Sequence, residues 1–322
     1  MSKHKVILDC DNTMGMPGWE VDDGLVLLYL LGRDDIDLLG ITNVFGNGSL
    51  KDVSYYTRRQ LEEIGRTDIP RYDGVAYRRQ NPQLSAAIKN TERYAGEIQQ
   101  DPDKITDAAQ FLADTVASYP GEVTILAAGP VSNLLQAHQV NKAFYSQVKE
   151  IVCMGGYIED LYIGGHLLEE LNLSCDPKAS YAMFFSGAPV AIMNGQVCLK
   201  APFGKEEIKR AAKFWPEARI RVLQEWLDRF GGALDVDVFY LWDLLLPVYV
   251  SYPELFVRND IWINPTEKDL HRGMLMPSRE GSGVRINMPM EFDVEQCMEI
   301  LFSAWEREWK LESNGWVKEA NP

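Results

Sequence analysis

The chain has 322 residues, 46% hydrophobic and 25% charged, a composition that excludes disordered and fibrous classes. Acidic residues outnumber basic ones by 47 to 32, for a net charge of −15. The basic residues are not grouped into the patch a nucleic-acid binder needs, so no nucleic-acid partner is expected. No apolar stretch is long enough for a signal peptide or a membrane span, and the five cysteines form no Cys-x-x-Cys pair. A reduced, cytoplasmic protein is the expectation.

Strand-like and helix-like runs alternate from the start. Val6-Ile7-Leu8 is a short apolar strand ending in Asp9-Cys10-Asp11, and Gly24 to Leu31 is apolar enough for a buried helix. Leu38 to Val44 reads as a strand that ends at Gly46-Asn47-Gly48, and Val53 to Ile64 has helical spacing. Asp107 to Ser118 is a helix, and Val123 to Leu126 is a strand leading through Gly129-Pro130 to a helix from about Ser132. Ile151 to Met154 is a strand stopped by Gly155-Gly156. Asp176-Pro177 pairs an N-cap with a proline at the first helical position, and Val190 to Met193 is a further strand. Beyond about residue 200 the pattern turns mainly helical and rich in tryptophan.

This alternation predicts an α/β fold with a mostly parallel central sheet flanked by helices and a helical C-terminal part. No Gly/Ser or Pro-rich linker divides it, so residues 1–322 are expected to form a single domain. In such folds ligands collect beyond the carboxyl ends of the strands. Here those ends carry Asp9 and Asp11, Asn47, Gly129 and Met154.

The most informative segment is Asp9-Cys10-Asp11-Asn12-Thr13 followed by Asp22-Asp23. Helix capping accounts for one or two aspartates near a helix start. It does not account for Asp9 and Asp11 directly after a buried strand, because closely held carboxylates repel unless a cation or proton intervenes. Hard oxygen donors point to Ca²⁺ or Mg²⁺. Asp243, inside the apolar run Leu241-Trp242-Asp243-Leu244-Leu245, needs a partner for the same reason.

Two families resemble this segment. Strand-Asp9-x-Asp11-x-Thr13 is similar to the first motif of haloacid-dehalogenase-like phosphatases, which would make Asp9 a nucleophile with Mg²⁺. Asp9-Cys10-Asp11 with Val21-Asp22-Asp23-Gly24-Leu25 resembles the N-terminal signature of nucleoside hydrolases, with Asn12 to Val21 forming a longer intervening stretch than the common pattern. The rest of the chain favours the second. Asn43 to Leu50, Ala127 to Asn133, Met154-Gly155-Gly156, Glu170-Leu171-Asn172 and Asp176-Pro177 look like that family's later motifs, in its order. The phosphatases' late acidic motif has no counterpart.

The resemblance to the inosine-uridine preferring nucleoside hydrolases implies calcium-dependent hydrolysis of ribonucleosides, or of another N-riboside, to ribose and free base. It implies calcium held by Asp11, Asp23, the carbonyl of Ala128 and Asp243, with Asp9 in support. Asp11 would activate a water on the metal. Asp22, Asn47, Met154, Glu170 and Asn172 would contact the ribose. A homodimer or homotetramer is implied as well. Many members place a histidine before the last metal aspartate, where this chain has Trp242, so His166, Tyr240 and Trp242 are the candidates for the leaving-base side. A protein that binds calcium and a ribosyl ligand with little turnover is the remaining alternative.

Overall fold

The computed structural model describes residues 3–76 and 104–316. Its strands are β1 (His4–Cys10), β2 (Ile36–Asn43), β3 (Arg71–Asp73), β4 (Val123–Ala127), β5 (Glu150–Met154), β6 (Leu161–Ile163), β7 (His166–Leu168), β8 (Val190–Met193), β9 (Pro202–Gly204), β10 (Val238–Tyr240), β11 (Asp260–Ile263), β12 (Pro277–Ser278) and β13 (Val284–Asn287). The main sheet has nine strands in the order β12-β11-β13-β8-β5-β4-β1-β2-β3. From β3 to β13 the pairings are parallel, and β11 joins antiparallel to β13 and β12. Two antiparallel ribbons, β6/β7 and β9/β10, stand apart from it.

Both faces of the sheet are buried, which is why its central strands read as continuous apolar runs. Val6, Leu8 and Cys10 of β1 face one core cluster and Ile7 faces the other. β4, β5 and β8 alternate in the same way, with Leu126, Val152 and Ala191 on the first face and Ile125, Ile151 and Ile192 on the second.

The helix Asp22–Leu31 is apolar all round because it is buried all round. The C-terminal helix Val294–Ser313 covers it. Trp305, fully buried, donates its indole N–H to the carbonyl of Leu25 at 3.1 Å. At Gly32, where the buried helix ends, a Cβ would stand 2.0 Å from the carbonyl oxygen of Ala304, so only glycine lets the two helices approach this closely.

The strands and helices expected up to residue 193 are present, with ends shifted by a few residues. The helical C-terminal part is present too, in Glu217–Leu234 and Val294–Ser313. That third also contributes β9 to β13, which are short strands with little periodic signal.

One arrangement matters for function. β1 pairs with β2 on one side and β4 on the other, so the chain winds outward in opposite directions from β1 and β4. The carboxyl ends of those two strands, where Asp9 lies opposite Ala127, form the topological switch point.

Trp305→Ala should destabilise the protein by about 3–5 kcal/mol, the range for emptying a buried aromatic site. Denaturant unfolding checks this, and a loss below about 1 kcal/mol would mean that the C-terminal helix does not support the fold.

Candidate active site

The switch point gathers buried acid. Asp9, Asp11, Asp22, Asp23 and Asp243 are all 3% exposed or less, although they come from three separate segments. Asp9 and Asp11 sit at and just past the end of β1. Asp22 and Asp23 open the buried helix, where free N–H groups and the helix dipole favour carboxylates. Asp243 arrives from the loop after β10.

Each carboxylate is held differently. One oxygen of Asp9 accepts from Thr42 Oγ1 at 2.6 Å and Asn133 Nδ2 at 2.7 Å, tying β1 to β2 and to the helix Ser132–Val140. Asp11 accepts from the backbone N–H of Asn47 at 2.6 Å and more weakly from Asn47 Nδ2 at 3.4 Å. It fits there because Gly46 and Gly129 have no side chains: a Cβ on Gly46 would lie 1.8 Å from Asp11 Oδ2, and one on Gly129 3.1 Å from its carboxyl carbon. Asp22 accepts from the backbone N–H of Trp242 at 3.0 Å and so fixes the loop that delivers Asp243.

The remaining oxygens are poorly served. Both oxygens of Asp23, and one each of Asp9, Asp22 and Asp243, are buried without a well-formed hydrogen bond; the Asp11 backbone N–H stands close enough to Asp23 to lower its pKa, but burial outweighs it. The carboxyls of Asp11 and Asp23 meet each other, a contact that becomes a hydrogen bond only when one of them carries a proton. Burial is the main cause of the resulting shifts, with like charge adding to several. It raises Asp9 and Asp11 to about 7 and Asp22 to about 6, and holds Asp23 and Asp243 well above the usual carboxylate range.

This donor set fits a divalent cation. Carboxylates left without donors in a buried site are costly unless a positive charge joins them, and carboxylate and carbonyl oxygens suit a hard ion. Among the described residues, the acidic side chains do not already stand as a finished cage of three or more ligands. The fit rests on the gathered, unsatisfied oxygens.

A cavity adjoins this cluster, and of the five aspartates Asp243 is in its lining while Asp9, Asp11, Asp22 and Asp23 lie outside it. Asn47, Ala128, Met154, Asn172 and Asp243 line its polar end. Tyr157, Trp226, Phe230 and Trp242 supply aromatic walls. Asn172 donates to the carbonyls of Ala128, at 2.9 Å, and Met154, at 3.2 Å, which fixes two strand ends in the lining. Glu170 also lines the cavity, but its carboxylate is engaged by backbone N–H groups of Gly156 (3.1 Å), Leu173 (2.9 Å) and Ser174 (2.8 Å). It caps the short helix Asn172–Cys175 and shapes the wall. Gly273, with φ of +69°, passes so close that a Cβ would touch the Glu170 side chain.

The three leaving-side candidates separate. Trp242 lines the cavity. Tyr240 packs against Trp242, ring centres 5.5 Å apart, and is not part of the lining. His166 is exposed on β7 and also stands outside the lining.

Sequence reasoning missed Glu20, Trp19, Tyr157, Trp226 and Arg229, all of which line the cavity. Glu20 is half-buried beside Asp22, and desolvation followed by the Asp22 charge pushes its carboxyl well up. The stretch from Asn12 to Val21 that carries Trp19 and Glu20 is packed and internally bonded. Asn12 donates to Gln60 at 2.9 Å, Thr13 Oγ1 donates to the Glu20 carbonyl at 3.1 Å, and Met14 fills the space over Gly24.

Carboxyls with raised pKa bind protons more tightly in the folded chain than in the unfolded one. Cation-free stability is therefore fullest below the ordinary carboxylate range and falls as pH rises towards about 7. A bound divalent cation opposes that fall. The gain in thermal midpoint on adding the cation to chelated protein should be larger at about pH 7.5 than at about pH 5; equal gains would count against the cation site.

The family model described as inosine-uridine preferring nucleoside hydrolase matches residues 6–299. The chain is 30% identical over 275 residues to Uridine nucleosidase 1 of Arabidopsis thaliana, covering 80% of this chain and 76% of that protein. It is 30% identical over 280 residues to the pyrimidine-specific ribonucleoside hydrolase RihB of Escherichia coli, covering 82% and 86%. The fold is shared with the purine-preferring ribonucleoside hydrolase from Gardnerella vaginalis, at a TM-score of 0.79 and 20% identity over 95% of this chain and 99% of that one. It is shared equally with the plant nucleoside hydrolase PpNRh1, at 0.78 and 20% over 94% and 98%. With the match extending from β1 into the C-terminal helix, the phosphatase resemblance is set aside, and the chain belongs to the nucleoside hydrolase family, whose members are N-glycosyl hydrolases.

Proposed function

We propose that this protein hydrolyses the N-glycosidic bond of ribonucleosides in a calcium-dependent reaction with Asp11 as general base. The observation that carries this reading is the set of buried, donor-poor carboxylates that joins an aromatic cavity through Asp243, Asn47 and Ala128. Asp11, Asp23, Asp243 and the Ala128 carbonyl would hold the ion. A bound divalent cation makes a neighbouring water easier to ionise and attracts hydroxyl oxygens.

The chain's own residues account for the rest. Asp11, oriented by the Asn47 backbone N–H, takes the proton from the attacking water. The water oxygen bonds to the anomeric carbon, and the glycosidic electron pair leaves with the base. Positive charge grows on the sugar as the bond breaks, and the surrounding carboxylates of Asp22, Asp23 and Asp243 stabilise it. Asn47 and Asn172 place amide groups at the polar end for the ribose hydroxyls, and Met154 lies beside them. Glu170 acts through the backbone it holds, as a positioning residue. Trp242, Trp226 and Tyr157 offer ring faces to a planar base.

The names of the two sequence relatives make uridine the first substrate to test. Asp11→Ala should lower kcat for ribose release by about 1000-fold or more, the combined scale of a lost base and a lost charge in the site. Chelation should abolish release and calcium restore it. A folded, calcium-loaded protein that binds nucleosides yet releases no ribose would replace this reading with that of a ribosyl-ligand-binding protein.

A further inference from the structure

The cavity lining among the described residues contains one cation, Arg229, and no histidine. Arg229 sits on the helix Glu217–Leu234 one turn from Trp226 and beside Phe230, and shares the lining with Glu20 and Glu169. Its guanidinium lies 3.8 Å from the ring centre of Trp19. At Gly18, with φ of +67°, a Cβ would be only 3.4 Å from Arg229 Cδ, so the loop backbone also packs against this side chain. Among the described residues no carboxylate pairs with Arg229 and no protein acceptor takes a hydrogen bond from it. Stacking occupies the face of a guanidinium and leaves its N–H edge available. The Asn12–Val21 stretch thus braces a cation at the cavity mouth. The brace is firm, because Trp19 N–H donates to the Met16 carbonyl at 3.1 Å and Asn12 is bonded to Gln60.

We propose that Arg229 is the catalytic electrophile on the leaving-base side, favouring bases that carry a carbonyl acceptor, such as uracil or hypoxanthine. The proposal rests on the N-ribosyl hydrolase reading: a nucleoside with its sugar on the polar floor has its base among the aromatic walls, within the reach of the cavity mouth. As the bond from the anomeric carbon to the base nitrogen breaks, its electron pair passes to the base and spreads onto the carbonyl oxygens. Arginine stays protonated and gives up no proton. It donates N–H hydrogen bonds to the growing anion, and the departing base takes its proton from solvent. The water proton goes to Asp11, so the two ends of the reaction are served separately. This arrangement supplies a leaving-side group that does not depend on an acid at the Trp242 position.

The test compares two ribosides, an N-glycoside and an O-glycoside, whose leaving groups need very different amounts of help. Uridine has a poor leaving group; 4-nitrophenyl β-D-riboside has one that departs without assistance. Arg229→Gln should lose about 100-fold or more in kcat on uridine, the scale for removing one donor from a developing charge. It should lose less than about threefold on the nitrophenyl riboside. Arg229→Lys should recover part of the loss on uridine, because it restores the charge without the planar fork. Equal losses on both substrates would show that Arg229 only maintains the cavity, and no loss on uridine would show that it plays no part; either overturns the proposal. If the wild-type protein releases ribose from neither substrate, the hydrolase reading fails first and takes this proposal with it. Arg229 is exposed, so the variants should fold, and matching thermal midpoints verify it.

Discussion

The structure depends on one electrostatic constraint: several carboxylates are buried together where the sheet reverses its winding, with too few donors to satisfy them. Folding such a group without a countercharge is unfavourable. The surrounding architecture works to keep the carboxylates in place. Thr42 and Asn133 hold Asp9, the Asn47 backbone holds Asp11, and the helix start holds Asp22 and Asp23. Asp22 in turn secures the backbone that brings in Asp243 from 220 residues away. The glycines at 46 and 129 are part of the same device, since side chains there would displace Asp11. In the proposed reaction, the stability given up locally places negative charge in position before positive charge develops on a sugar.

The polar and aromatic ends of the cavity divide the chemistry. The acidic end rests on the end of β1, the start of the helix Asp22–Leu31 and the loop that carries Asp243. The aromatic end is built from the helix Glu217–Leu234, the loops after β5 and β10 and the Asn12–Val21 stretch. In the proposed binding mode the base lies against a helix and loops, the segments that vary most easily in a fold, and the sugar against strand ends. His166 is exposed and Tyr240 stands behind Trp242, so of the three leaving-side candidates only Trp242 lines the cavity, together with Tyr157, Trp226 and Arg229.

Much of this was legible in the sequence because strand ends carry strong signals. Apolar runs that stop at Asp9-Cys10-Asp11, at Gly46-Asn47 and at Met154-Gly155-Gly156 mark both the sheet and its functional rim. Asp243 was legible because a lone carboxylate in an apolar run demands a partner. The role of Glu170 was harder to read: the resemblance of Glu170-Leu171-Asn172 to a family motif implies a site residue, whereas its oxygens hold backbone N–H groups, which follows from the fold alone. Arg229 was invisible for a related reason. An arginine on an amphipathic helix reads as a solvated face, and its contact with Trp19 spans 210 residues. The short strands β11 to β13 were missed because two to four residues carry no measurable periodicity.

The central claim is that the buried carboxylates exist for a cation. The most direct measurement is calcium binding by titration calorimetry, on wild-type protein and on Asp23→Asn, with the thermal midpoint of each recorded under chelation. The account predicts one calcium site in the wild type and none in Asp23→Asn. It also predicts that the variant, relieved of a buried charge, is the more stable of the two without calcium. An Asp23→Asn protein that binds calcium as well as the wild type, or a wild type that binds none, would contradict it.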